Sequence, residues 1–146
     1  MLFRHTEGVI VPAWAWDYHQ RMNIEDNTKL IAIVDDDRLV QSSLWDLIEA
    51  EGLPAQCFGS AEDFLRSHER HKAACLIADI RMPGMSGLEL QAKLNAEHCR
   101  IPIIFITAHG DAKMRIQAMC DGAVEFLTKP FDNKVLLDTV RAAVDG

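Results

Sequence analysis

Five apolar runs recur along the chain: Leu30–Val34, Leu53–Phe58, Cys75–Ile80, Ile101–Ile106 and Ala123–Leu127. Their starts lie 22 to 26 residues apart, which leaves room for a short strand, a helix of about three turns and two loops. The runs are continuous rather than alternating, and that suits strands covered on both faces. Between them the apolar period becomes helical. Val40, Leu44, Leu47 and Ile48 make one stripe that stops at Glu51-Gly52, where glycine can take the left-handed cap. "SGLE", Ser86 to Glu89, reads as a capping box. Asp121-Gly122 repeats the glycine stop, and Leu136, Val140 and Val144 stripe the last helix. These stripes are read as core-packing faces. Strand–helix alternation repeated five times predicts an α/β domain with a doubly wound parallel sheet and helices on both sides. Sheets of that kind bind ligands outside the carboxyl ends of their strands, where the winding reverses.

Residues 1–28 stand outside the pattern. "EDNT" is a polar lead-in, and Met22 is a natural start for the compact domain. Trp14, Trp16 and Tyr18 are unusual on a tail, so two readings stay open: an extension without a role of its own, or a docking segment. The domain itself is read as 29–146.

Composition narrows the function. At 49% hydrophobic and 25% charged, 146 residues suit a soluble domain with a short appendage. Fifteen basic residues against 22 acidic ones give a net charge of −7, which argues against direct nucleic-acid binding by this chain. No apolar stretch approaches the ~20 residues of a membrane span, and the start carries no secretory signal pattern. Cys57, Cys75, Cys99 and Cys120 are far apart with no C-x-x-C, which suits a reduced, cytoplasmic setting with Cys57 and Cys75 in the core. His68 and His71 share a helix face, but no third metal ligand stands near them.

The candidate chemistry lies at the strand ends. Strand one is followed by Asp35, Asp36 and Asp37; strand three by Asp79; strand four by Thr107; strand five by Thr128, Lys129 and Pro130. Each alone has an ordinary role as a helix cap or a solvated surface group. Together, at four strand ends, they make a constellation spanning almost a hundred positions. Crowded carboxylates repel, and an all-oxygen set with room for water favours magnesium. A metal-bound carboxylate beside a lysine is arranged to receive a phosphoryl group, forming an aspartyl phosphate. Asp79 is then the acceptor, and its partners are the metal and Lys129.

"IVDDD", "ADIRMPGMSGLEL", "PIIFITAHGD" and "GAVEFLTKPF" appear in that order. From Lys29 onward the sequence resembles the receiver domain of two-component response regulators, especially the subfamily of nitrogen-fixation regulators. The resemblance implies a flavodoxin-like (βα)5 fold with strand order 2-1-3-4-5. It implies that Asp79 accepts a phosphoryl group from a sensor histidine kinase, in a signalling protein rather than an enzyme. Asp35, Asp36, Asp79 and the backbone carbonyl of Arg81 would hold Mg2+, Lys129 would pair with the phosphoryl group, and Lys129–Pro130 would be cis. Asp37 is read as a helix cap rather than a ligand. On phosphorylation the Thr107 hydroxyl would move to the phosphoryl oxygen and Phe126 would turn inward. That would reshape the fourth helix, fifth strand and fifth helix, a face used for homodimerisation or for binding an output protein.

No DNA-binding or enzymatic segment follows the fifth helix, so a stand-alone receiver is expected. The alternative is a receiver piece of a longer DNA-binding transcriptional regulator. Arg81 and His109, two residues beyond Asp79 and Thr107, are expected to flank the path of hydrolytic water and slow dephosphorylation. A rival reading takes Asp35-Asp36-Asp37 as the D-x-D of a haloacid-dehalogenase-like phosphatase, which would put the phosphate on Asp35. A second rival is an interaction module that keeps the fold and uses no phosphate. The intact acids, Thr107 and Lys129 speak against it.

Overall fold

Alternating side chains on five strands build two separate cores, one on each face of a parallel sheet. The computed structural model describes residues 3–6, 9–12 and 29–145. The strands are β1 (Leu30–Val34), β2 (Ala55–Phe58), β3 (Ala73–Ala78), β4 (Ile103–Thr107) and β5 (Glu125–Thr128). Between and after them come α1 (Arg38–Ala50), α2 (Ala61–Arg66), α3 (Gly87–Ala96), α4 (Ala112–Cys120) and α5 (Asn133–Asp145). All pairings in the sheet are parallel, and the spatial order is β2-β1-β3-β4-β5. This is the expected flavodoxin-like order 2-1-3-4-5.

One core joins Ala32, Val34, Leu76, Ala78 and Phe105 to Phe64, Leu90 and Leu94 of α2 and α3. The other joins Ile31, Ile33, Cys75, Ile77, Ile104 and Ile106 to Leu44 and Ile48 of α1 and Leu136 and Val140 of α5. Odd and even strand positions thus face opposite layers, as the period of a strand requires. Burial of this kind contributes roughly 25 cal/mol per Å² of apolar surface. It fixes the sheet whose ends carry the polar groups.

Several expected boundaries shift. β1 spans the predicted residues, while β2, β4 and β5 begin two residues late. Pro102 has no N–H for a ladder, and its carbonyl receives Leu76 N at 2.9 Å instead. Ala123 N is bound to Ala118 O, closing α4, with Gly122 at φ +105°. β3 ends at Ala78 rather than Ile80, so Asp79 is the first residue past the strand. The helix predicted between β2 and β3 is a single short α2 followed by a 3-10 turn, His68–His71. Ser67 interrupts it in an extended conformation, with its hydroxyl accepting Glu69 N.

The predicted caps are present. Asp37 Oδ1 accepts Leu39 N at 2.8 Å, and Ser86 and Glu89 form the capping box. Gly52 takes φ +77°. Cys75 lies in the core, where burial pushes its thiol up to about 12. Cys57 is half-buried against that core rather than within it. In the N-terminal segment, Phe3–Thr6 and Val9–Pro12 pair antiparallel, a feature the tail reading did not anticipate. Trp14, Trp16, Tyr18 and Met22 lie outside the described residues.

Candidate functional site

The carboxyl ends of β1, β3, β4 and β5 bring the expected residues to one rim. Each backbone is tied to a neighbouring strand: Asp79 N donates to Val34 O at 3.0 Å, Asp35 N to Phe58 O at 3.1 Å, and Lys129 N to Thr107 O at 2.9 Å. The carboxyl groups of Asp35, Asp36 and Asp79 offer oxygens that all lie within 4.8 Å of one another. Among the described residues this is the one such group of three or more potential metal ligands. His68 and His71 have no third partner there.

The three acids differ in environment. Asp35 is buried, at 3% exposure, and its Oδ1 accepts Asp37 N at 2.8 Å. Burial raises its pKa, with the Asp79 and Asp36 charges adding to the rise; the Asp37 amide and Lys129 only partly offset them. Asp79 is half-buried, and its Oδ1 accepts Ile80 N at 2.7 Å. Its pKa is also raised, chiefly by desolvation, against the opposing pull of Lys129 and the Ile80 and Arg81 amides. Asp36 is exposed. The Lys129 ammonium lies 3.8 Å from Asp35 Oδ2, so its ion pair is with Asp35 and not with the acceptor candidate. Lys129–Pro130 is cis, as expected.

Two raised carboxyls with a single ammonium beside them leave a surplus of negative charge. The donors are oxygens only, which is the chemistry a small hard dication takes. The residues present therefore fit Mg2+.

Thr107 and Phe126 meet beside this rim. Thr107 is 1% exposed, and its Oγ1 receives a long bond, 3.4 Å, from His109 N. Phe126 is already inside, at 1% exposure, so the inward turn implied by the resemblance has no outward starting position here. Space for the ring comes from Gly110: a Cβ there would stand 2.7 and 2.9 Å from ring carbons and 2.9 Å from the Thr107 methyl. Arg115 of α4 closes the corner. Its guanidinium sits 5.3 Å from the Phe126 ring centroid and donates to Phe126 O at 2.9 Å, while Glu125 Oε1 accepts Phe126 N at 2.9 Å.

Sequence reasoning missed Gly110 and Arg115, and it missed Gln41, whose Nε2 donates to Asp35 O at 2.6 Å. Nothing in the spacing marks Gln41. The arginine four residues into a polar helix carries no signal until the fold places it over an aromatic ring.

The family model described as response regulator receiver domain matches residues 31–141. Response regulator protein TodT of Pseudomonas putida is 45% identical over 122 residues, covering 84% of this chain and 54% of that protein. Nodulation protein W of Bradyrhizobium diazoefficiens is 46% identical over 122 residues, covering 83% of this chain and 54% of its own length. The crystal structure of FixJ-N superposes with a TM-score of 0.72 at 38% identity, over 80% of this chain and 93% of that one. The chain spans about half the length of the curated relatives it matches.

Proposed function

The chain belongs to the response regulator receiver family, in its FixJ-like branch, and from that premise we propose that Asp79 is its phosphoacceptor. Receivers are signalling proteins of two-component systems and not enzymes in the usual sense, which sets aside the phosphatase reading. Receiver domains generally bind Mg2+ at an acidic pocket and interact with sensor histidine kinases. In this chain the donor is a phosphohistidine on such a kinase. A carboxylate oxygen of Asp79 forms the new P–O bond as the P–N bond breaks, and the imidazole keeps the electron pair. No protein base is required, because the attacking carboxylate carries no proton to remove.

Asp35, Asp36, Asp79 and the Arg81 carbonyl would hold Mg2+, which when bound would offset the negative charge of the phosphoryl oxygens. Lys129 supplies the second positive group, moving from Asp35 toward the phosphoryl oxygens. Asp35 is ill placed to be the acceptor, being buried and engaged with Lys129 and the Asp37 amide. The Thr107 hydroxyl then binds a phosphoryl oxygen, and the change is read on the α4, β5 and α5 face. Ile116, Met119 and Val124 stand there 62%, 39% and 40% exposed, an apolar surface suited to a second copy or an output protein. Among the described residues no helix is long and apolar enough to cross a membrane.

One observation carries this reading: three carboxylates converge within 4.8 Å, with Lys129 against one of them, from distant parts of the chain. Incubation with acetyl phosphate and Mg2+, followed by mass-spectrometric mapping, tests it. The wild type takes one phosphoryl group on Asp79, and Asp79→Asn takes none. A label on Asp35, or no label with donor and metal in excess, would end the reading. Arg81 and His109, two residues beyond Asp79 and Thr107, are both exposed. Arg81→Ala and His109→Ala are expected to shorten the lifetime of the phosphorylated form several-fold in a chase without donor, and an unchanged lifetime removes their protective role.

A further inference from the structure

Resting on the phosphoacceptor reading of Asp79, a second element is tied to the loop that follows that residue. Residues 79–86 join β3 to α3. The base of this loop is closed by Gly87 N donating to Ile80 O at 2.8 Å. Glycine is required at position 87, since a Cβ there would collide with the Asp79 carbonyl. The crest is held from outside. Glu62, in the first turn of α2, reaches across so that its Oε2 accepts Met85 N at 3.0 Å. The same oxygen lies 2.6 Å from where a Cβ on Gly84 would stand, and Gly84 has φ +77°. A side chain at position 84 would therefore meet both backbone strain and the Glu62 carboxylate. The other carboxylate oxygen, Oε1, is buried with no hydrogen-bond partner among the described residues.

That unpartnered oxygen is the telling feature. A carboxylate taken out of water with one oxygen unmatched is unfavourable. An acid in the first turn of α2 gains from the helix N-terminus, as its neighbour Asp63 also does, but that gain does not require the side chain to reach across to Met85 with one oxygen buried. What the acid provides is a strong, charge-assisted acceptor for one particular amide. Ile80 and Met82 anchor the start of that loop in the core and the Ser86–Glu89 capping box fixes its end; the Met85 amide is the point at which α2 holds its crest, and the Arg81 carbonyl lies within the same loop.

We propose that Glu62 is a positioning residue for phosphoryl transfer: by holding Met85 N–H it pins residues 79–86 against α2 and so sets the place of the Arg81 carbonyl and of Asp79. The acid touches neither phosphoryl group nor metal. It acts through the loop, as groups behind metal ligands do when their loss weakens metal binding by about 10-fold to 100-fold.

Three variants test this: Glu62→Ala removes the acceptor, Glu62→Asp keeps the charge but falls short by a methylene, and Glu62→Gln keeps an acceptor of full reach. Mg2+ affinity is followed by thermal upshift across a metal titration, loop opening by hydrogen exchange at residues 79–86, and transfer by the initial rate of acetyl phosphate labelling. Glu62→Ala and Glu62→Asp are expected to weaken Mg2+ binding about tenfold, to speed exchange at Met85 and to slow labelling. Glu62→Gln, with the reach but not the charge, recovers all three in part and stands between Glu62→Asp and the wild type. A purely structural role for Glu62 would lower the unfolding midpoint yet leave Mg2+ affinity and labelling rate unchanged well below it, and that result overturns the inference. Should Glu62→Ala fail to fold, the contrast between Glu62→Asp and Glu62→Gln decides between the same two outcomes. A wild type that takes no label on Asp79 sinks the parent reading instead, so the two failures are separable.

Discussion

The acidic rim and the Phe126 corner share the same end of the sheet but are built in opposite ways. At the rim, three carboxyls crowd together, two have raised pKa values, and the one ammonium near them is paired with Asp35. At the corner every group is matched: the ring fills the space left by Gly110, a guanidinium covers it, and its backbone N–H and C=O are both bonded by side chains. The rim is left incomplete without a cation, whereas the corner is complete without a ligand. Binding free energy therefore accrues at the rim, and any rearrangement at the corner must be driven against contacts already made.

The largest blow to this contrast comes at the corner. Gly110→Ala puts a methyl group into the Phe126 ring, and the expected loss is on the order of 1–3 kcal/mol in denaturant unfolding. An unchanged midpoint would mean the corner is looser than described. At the rim the sign reverses. In metal-free buffer with chelator, Asp79→Asn is expected to unfold later than the wild type, by less than Gly110→Ala costs, because it removes a charge held out of water among like charges.

The pH dependence of that gain follows from the raised pKa. A carboxyl whose folded value exceeds its ordinary 3.8 binds more protons folded than unfolded, so its contribution to stability falls as pH rises through that interval. The advantage of Asp79→Asn over wild type is therefore absent below about pH 3.8, grows above it and levels off once Asp79 is ionised in the folded chain. Saturating Mg2+ should erase or invert it. An advantage independent of pH would mean that packing, not charge, separates the two regions. The smallest effect is expected from Arg115→Ala. The guanidinium is half exposed, so its loss costs about 0.5–1 kcal/mol, with a shift in the Phe126 ring resonances as the sharper readout.

The strand ends were readable because a parallel sheet turns five distant apolar runs into one edge, and Asp35, Asp36, Asp79, Thr107 and Lys129 each follow such a run. Caps such as Asp37 and Ser86 were equally legible, since capping is local in sequence. Side chains that act across elements were not. Gln41 on the Asp35 carbonyl, Glu62 on the Met85 amide and Arg115 over Phe126 depend on how helices sit against loops, and no periodicity records that. The interruption at Ser67 was missed because a helical pattern looks the same whether a hydroxyl extends the turn or breaks it. The paired strands at Phe3–Thr6 and Val9–Pro12 carry a weak signal, two short runs of four residues around one glycine, and neither run alternates cleanly.

The covering of Phe126 bears on how this protein can assemble. β5 is an outer strand, and outer strands commonly recruit partners by extending the ladder. Beside Phe126 that rung is already taken, by Arg115 on one side of the peptide and Glu125 on the other. At this rung an association through the border is written in side chains rather than in main chain. Its choice of companion is accordingly open to retuning by a few surface exchanges, with the sheet itself left intact.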